Sequence, residues 1–209
     1  RRDRAYSIFY VGINLGAFLA PLICGTLGEE VGWHYGFGAA GIGMTLGLVI
    51  YLYASRLLPR DAIRDKASAA DRKFSRDDRR AVAALLALYL PTTLFWAAYD
   101  QQGNTIALWA DAHTDRGINL LFWTGQIPVT WFQAFNPFMI FAFTPLVIAL
   151  WTRQARRGRE PATVTKMAYG CFGNALAHLI LFAAALHVGA DKASWLWLFA
   201  YFVVLTIGE

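Results

Sequence analysis

Long apolar runs alternate with short polar connectors along this chain. Six stretches, at 5–27, 35–55, 81–110, 127–152, 163–188 and 193–209, are almost continuously apolar. A bilayer core about 30 Å thick takes roughly 20 such residues per helix. In lipid the backbone must satisfy its own hydrogen bonds, which leaves helices or closed barrels. Run length therefore predicts an all-α membrane protein with six transmembrane helices. The third run is long enough to tilt or to continue past the bilayer, and the sixth is short. Residues 1–4 lead straight into the first run without the pattern of a cleaved signal.

Composition agrees: 57% of residues are apolar, 15% aromatic and only 16% charged. Soluble domains carry about a quarter charged residues. The net charge of +5 is distributed by topology. Seventeen of the nineteen Lys and Arg residues lie before the first run, between the second and third, or between the fourth and the first turn of the fifth, where Lys166 stands. Only Arg116 and Lys192 fall on the other side. By the positive-inside rule the basic side is cytoplasmic, so the chain is expected to be multi-pass in a cell membrane of bacterial inner-membrane type. Nucleic-acid binding would need a basic face on a folded domain, and these charges sit in connectors. The Arg/Asp-rich stretch 59–80 is the clearest boundary. Cys24 and Cys171 lie inside apolar runs, where a thiol behaves as a small hydrophobe.

Polar residues inside lipid-facing runs are costly and face a partner or a cavity. In the first run Tyr10 and Asn14 are four apart, on one helix face, beside the Gly12-x-x-x-Gly16 pair. Asn14 is open to two readings, an interhelical hydrogen bond or a site. The second run is a glycine stripe (Gly36, Gly38, Gly41, Gly43, Gly47), read as close helix packing. In the third run Trp96, Asp100 and Asn104 share a face at spacing four, and Pro91 can seed a bend. No Lys or Arg within the runs offers Asp100 a counter-ion. In the fourth, Gln133 and Asn136 share a face, and Pro137 suits a bent helix lining a cavity. The fifth has Asn174 and His178 four apart, read as packing or a relay. Glu209 follows some sixteen apolar residues and is a functional candidate by default.

Four blocks together resemble the proton-coupled oligopeptide transporter (POT/PTR) family. They are Phe9-Tyr10-x-x-Ile13-Asn14-x-Gly16, Phe95-Trp96 with Asp100-Gln101-Gln102-Gly103, Trp131-Phe132-Gln133-x-x-Asn136-Pro137, and Gly208-Glu209. The resemblance spans the chain and implies part of a twelve-helix major facilitator fold, with the six runs as helices 5 to 10. Residues 1–56 would close the N-terminal half, 57–80 form the cytoplasmic linker, and 81–209 open the C-terminal half. The linker is too short for the two extra helices that many bacterial members carry. The family's E-x-x-E-R motif and helix 4 lysine have no counterpart in this stretch. By resemblance Asn14, Asn136 and Glu209 hold a peptide's amino group, with Tyr10, Trp96 and Gln133 as further substrate-binding positions. Asp100 matches the acid of proton coupling and the outer gate.

The implied function is proton-driven import of di- and tripeptides by alternating access. Its partners would be peptides, protons and the bilayer, with no cofactor or metal, acting as a monomer at full length. A buried carboxylate flanked by two amide oxygens suits an ammonium group, because charge-assisted hydrogen bonds are the strong ones. The nearest rival is a relative carrying nitrate or another small solute, against which an acidic Glu209 argues. A membrane metalloprotease needs clustered ligands such as H-E-x-x-H. His34 near Glu29 and Glu30 has no second histidine close by, and His113 and His187 are equally isolated. An enzyme is therefore not expected.

Overall fold

The computed structural model describes residues 2–57, 75–120, 123–188 and 191–209. Helix α1 (Arg2–Ala20) continues into two π-helical turns, Pro21–Gly25 and Leu27–Val31. Pro21 has no N–H to donate, so the ladder slips to wider spacing there. The Thr26 hydroxyl donates back to the Leu22 carbonyl within this segment. The chain reverses at Gly32, whose φ of 145° belongs to glycine, and enters α2 (Trp33–Ala54). Within the second run only Gly36 makes a close approach: an added Cβ would lie 2.6 Å from the Cys24 carbonyl. Gly38, Gly41, Gly43 and Gly47 meet nothing within 4 Å, and neither do Gly12 and Gly16. The packing expected of both glycine series is thus confined, in this chain, to one residue.

The expected linker 57–80 lies mostly outside the described residues, which resume at Ser75. Ser75 caps α3 (Arg76–Tyr99) in a reciprocal box, its hydroxyl accepting from the Asp78 N–H while Asp78 accepts from the Ser75 N–H. The helix therefore starts five residues before the apolar run. It runs through Pro91 and breaks instead at a 3₁₀ turn, Asp100–Gly103, before α4 (Thr105–His113). Asp100, Gly103 and Asn104 are weak helix formers. A hairpin follows, with β2 (Gly117–Leu120) antiparallel to β3 (Trp123–Gln126). Before it, β1 (Thr114–Asp115) pairs in parallel with β4 (Ala193–Ser194). The fourth run opens as a 3₁₀ segment, Val129–Ala134, leading into α5 (Phe135–Arg156). Pro137 falls in the first turn of α5, where its missing N–H costs nothing, so the irregularity precedes it. Helices α6 (Thr163–Val188) and α7 (Trp195–Gly208) complete the chain.

Five of these helical spans are long and apolar enough to cross a membrane, and α7 is a shorter apolar helix. Helix α7 occupies the core. Leu198, Tyr201, Phe202, Leu205 and Thr206 are buried at the i, i+3, i+4, i+7, i+8 spacing of one helix stripe. Around them pack Tyr99, Phe132, Met139 and Ala177. Glycines bring α6 and α7 together: a Cβ on Gly208 would lie 3.1 to 3.3 Å from backbone atoms of Gly170, Gly173 and Asn174. In contrast, Phe37, Met44 and Tyr53 of α2 are more than 70% exposed within this chain.

Candidate functional site

The close approach of α7 to α6 sets where Glu209 projects, immediately after Gly208. Its Oε2 accepts from the Asn136 amide at 2.9 Å and faces the Tyr99 hydroxyl at 3.0 Å. The same hydroxyl lies 3.0 Å from Asn136 Oδ1, and the Asn136 amide also donates to Thr206 Oγ1 at 3.0 Å. Three elements thus converge: the end of α3, the first turn of α5 and the last turn of α7. Asn136 and Thr206 are buried and Tyr99 nearly so. Among the described residues no cation pairs with Glu209, since every ion pair lies elsewhere. The cluster is a carboxylate, an amide and two hydroxyls without a positive charge, which is the donor set that accepts a cation carrying N–H groups.

Two cavities meet at Glu209. One, of about 300 Å³, lies between α3, α6 and α7, with Trp96, Lys166, Gly170 and Gly208 in its wall. Lys166 is paired there with Glu160 and sits over the Trp151 ring. The other, of about 190 Å³, lies between α1, α5 and α7 and is lined by Tyr10, Ile140 and Thr206. Tyr10 and Trp96 therefore border Glu209 on opposite sides. Asn14 is buried on α1, its amide donating to the Tyr10 carbonyl one turn back.

Asp100, Asn104, Gln133, Asn174 and His178 stand apart from this cluster, and Asn14 bonds only within its own helix among the described residues. The helix break falls between Asp100 and Asn104: the Asp100 N–H still bonds the Trp96 carbonyl one turn back, whereas Asn104 leaves the helical backbone and does not continue their face. Asp100 is exposed in the 3₁₀ turn, directly after Tyr99. Gln133 lies in the 3₁₀ segment before α5, one turn ahead of Asn136. It lines a third cavity of about 560 Å³ with Glu29, Asn104, Asp111 and Thr130. Asn174 donates its amide to the Phe95 carbonyl at 2.9 Å, tying α6 to α3, and His178 bonds the Asn174 carbonyl. That pair does packing work.

The third cavity abuts a clamp at the end of the bundle opposite the basic connectors. Glu29, in the π-helical end of the first span, accepts from the Val129 N–H at 2.9 Å, the Thr130 N–H at 2.8 Å and the Thr130 hydroxyl at 2.8 Å. It thereby caps the 3₁₀ segment, a favoured place for a carboxylate. Arg116 stands 3.9 Å away and bonds Asp111 at 2.9 Å. The Trp131 indole donates to Thr26 at 2.8 Å, and Gly25 leaves no room for a Cβ beneath Thr130. Neither the clamp nor Tyr99 was singled out by sequence reasoning. Glu29 was weighed only as a metal ligand near His34, and Tyr99 sits among aromatic residues that pass for packing. The one available signal was that the π-helical turn after Pro21 extends the first span to the acid.

A family model described as PTR2, POT family, matches residues 1–75 and 61–209. The chain is 28% identical over 269 residues to a di-/tripeptide transporter of Lactococcus lactis, with all of this chain and 54% of the relative covered. It is 27% identical over 275 residues to the peptide transporter YePEPT of Yersinia enterocolitica, covering all of this chain and 53% of that one. An uncharacterized transporter of Bacillus subtilis, YclF, is 27% identical over 263 residues, again with the whole chain and 52% of the relative. Among solved structures, a glutamate-to-glutamine mutant of peptide transporter POT in complex with alafosfalin superposes with a TM-score of 0.83. It shares 26% identity, over all of this chain and 52% of that one. The chain spans about half the length of the curated relatives it matches.

Proposed function

We propose that this chain, which belongs to the POT family, is the amine-gripping portion of a proton-driven importer of di- and tripeptides. One observation carries the reading: a carboxylate, Glu209, held by Asn136 and Tyr99 between two cavities, with no cation of the described chain upon it. A peptide's ammonium group supplies the missing charge. Asn14 completes the receptor from α1, and Tyr10 and Trp96 flank the peptide in the adjoining cavities. Gln133 meets the peptide farther along, in the cavity it shares with Glu29. Asp100, at the break after α3, is the coupling acid and part of the outer gate. Residues 1–56 then belong to one half of the transporter, 57–80 to the cytoplasmic linker and 81–209 to the other half. The basic connectors face the cytoplasm across the cell membrane, and the full-length protein works as a monomer.

Energetics suit the assignment. At 100 mV each proton moved inward releases about 2.3 kcal/mol, enough to concentrate a neutral dipeptide tens of times. Coupling requires that protonation favour one orientation of the cavity, a population shift. The anion alternative is disfavoured by the carboxylate itself, since nitrate against ionised Glu209 is repelled. Uptake of labelled dialanine by the full-length protein in proteoliposomes tests the reading. Transport should collapse with the proton gradient and be lost in Glu209→Gln. Full activity of that variant removes Glu209 from the site, and uptake indifferent to the gradient refutes the coupling.

A further inference from the structure

We propose that Tyr99 is a positioning residue of the ammonium site and makes it selective for a charged amine; this rests on the reading above. A phenol has one O–H, yet the Tyr99 oxygen is 3.0 Å from both Asn136 Oδ1 and Glu209 Oε2. Both hydrogens of the Asn136 amide are already engaged, by Thr206 and by Glu209. Two acceptors therefore compete for one phenolic hydrogen. An ionised acceptor makes the stronger bond, so in the empty site the hydrogen points to Glu209 and Asn136 Oδ1 goes without it. When an ammonium group donates to Glu209, the Tyr99 hydrogen rotates to Asn136. The equal distances let this switch occur by turning one O–H bond, with no heavy atom displaced.

The ring has little freedom to do otherwise. Tyr99 stacks on Phe95 at 5.9 Å and meets Trp96 edge-on at 5.2 Å. It is also the last residue of α3, and Asp100 begins the next turn. The hydroxyl thus connects the coupling acid's segment to the carboxylate on α7 through a single side chain. A neutral or acylated amine brings less charge to Glu209 and leaves the hydrogen where it was, so the site discriminates by how completely the substrate displaces the phenol.

The test uses the full-length transporter and Tyr99→Phe, which keeps the ring and removes the hydroxyl. Because the hydroxyl bonds ionised Glu209 only in the empty site and neutral Asn136 in the occupied one, its loss removes the stronger bond from the empty state and should lower KM for dialanine about tenfold while changing kcat less than twofold. Inhibition by N-acetyl-dialanine should be unaffected. Affinity for dialanine, measured on purified monodisperse protein, supplies the second arm: in a Glu209→Gln background Tyr99→Phe should bring no such gain. An unchanged or raised KM, an equal gain for the acetylated peptide, or the same gain in both backgrounds overturns the proposal. Failure of the underlying reading looks different, because Glu209→Gln would then transport normally.

Discussion

Glu29→Gln should loosen the clamp that joins the first and fourth spans, and its cost follows from the contacts. A glutamine oxygen can still accept both Thr130 donors, which share Oε1 in the native chain. The new amide then faces the Val129 N–H, donor against donor, where Oε2 had accepted at 2.9 Å. A hydrogen bond to a charged group contributes about 1.5–3 kcal/mol. The Arg116 attraction at 3.9 Å adds under about 1 kcal/mol, because both side chains keep 19% exposure. The total is about 3 kcal/mol, a shift of roughly a hundredfold in any equilibrium between clamped and open ends. Accessibility of a cysteine behind the clamp reads this directly. With Cys24→Ser and Cys171→Ser as background, Ala107→Cys places a thiol in the wall of the 560 Å³ cavity. In the full-length protein a membrane-impermeant maleimide added outside should label it at least tenfold faster when Glu29→Gln is present. If neither Glu29→Gln nor Glu29→Ala changes the rate, the carboxylate does not hold these ends together.

Two further perturbations probe different levels. Gly170→Ala should destabilise the protein by about 1–3 kcal/mol and abolish dialanine uptake together, since its Cβ would lie 2.6 Å from the Gly208 carbonyl and push Glu209 away; normal melting and uptake would show that the α6–α7 approach does not place the acid. Trp131→Phe, which deletes the indole donor to Thr26, should speed Ala107→Cys labelling less than Glu29→Gln does, because one neutral hydrogen bond contributes about 1 kcal/mol; labelling faster than in Glu29→Gln would put the Trp131 contact, not the carboxylate, in charge of the clamp.

The spans were legible because lipid imposes one requirement on every residue of a run, and a count of apolar residues reads it. Their interruptions were not. The break at 100–104 depends on whether Gln101 and Thr105 side chains satisfy a local turn, as they do through bonds to Ala97 and to each other. The paired strands Gly117–Leu120 and Trp123–Gln126 lie between two apolar runs, where run length marks a connector but says nothing of strand pairing. Within this chain, of the five glycines in α2 only Gly36 touches a neighbour, whereas the less conspicuous Gly170, Gly173 and Gly208 bring two helices together. Asn136 and Glu209 were identified by their polarity in apolar runs. Tyr99 was not, because a tyrosine beside phenylalanine and tryptophan announces its ring and conceals its hydroxyl.

The 3₁₀ entry to α5 joins the Glu29 clamp to the cluster of Asn136, Tyr99 and Glu209. Val129 and Thr130 receive Glu29, while Asn136 reaches Glu209 six residues later. At roughly 2.0 Å rise per residue in a 3₁₀ segment, the two contacts are about 12 Å apart along a short rod. Phe132 and Ala134 are buried within it, so the rod is gripped at its middle as well as at its ends. A packed segment of this kind shifts as a body rather than bending. Opening at Glu29 must therefore move Asn136 relative to α7, and the Asn136–Glu209 bond is the contact that such a movement strains. Under the transport reading, peptide held at Glu209 and Asn136 steadies the rod and favours the clamped arrangement, whereas release of the amine frees it. The prediction separates a linked pair from two independent features: saturating dialanine should slow outside labelling of Ala107→Cys in the otherwise native protein, and should fail to do so in Asn136→Leu. Equal protection in both would leave the clamp uncoupled from the site.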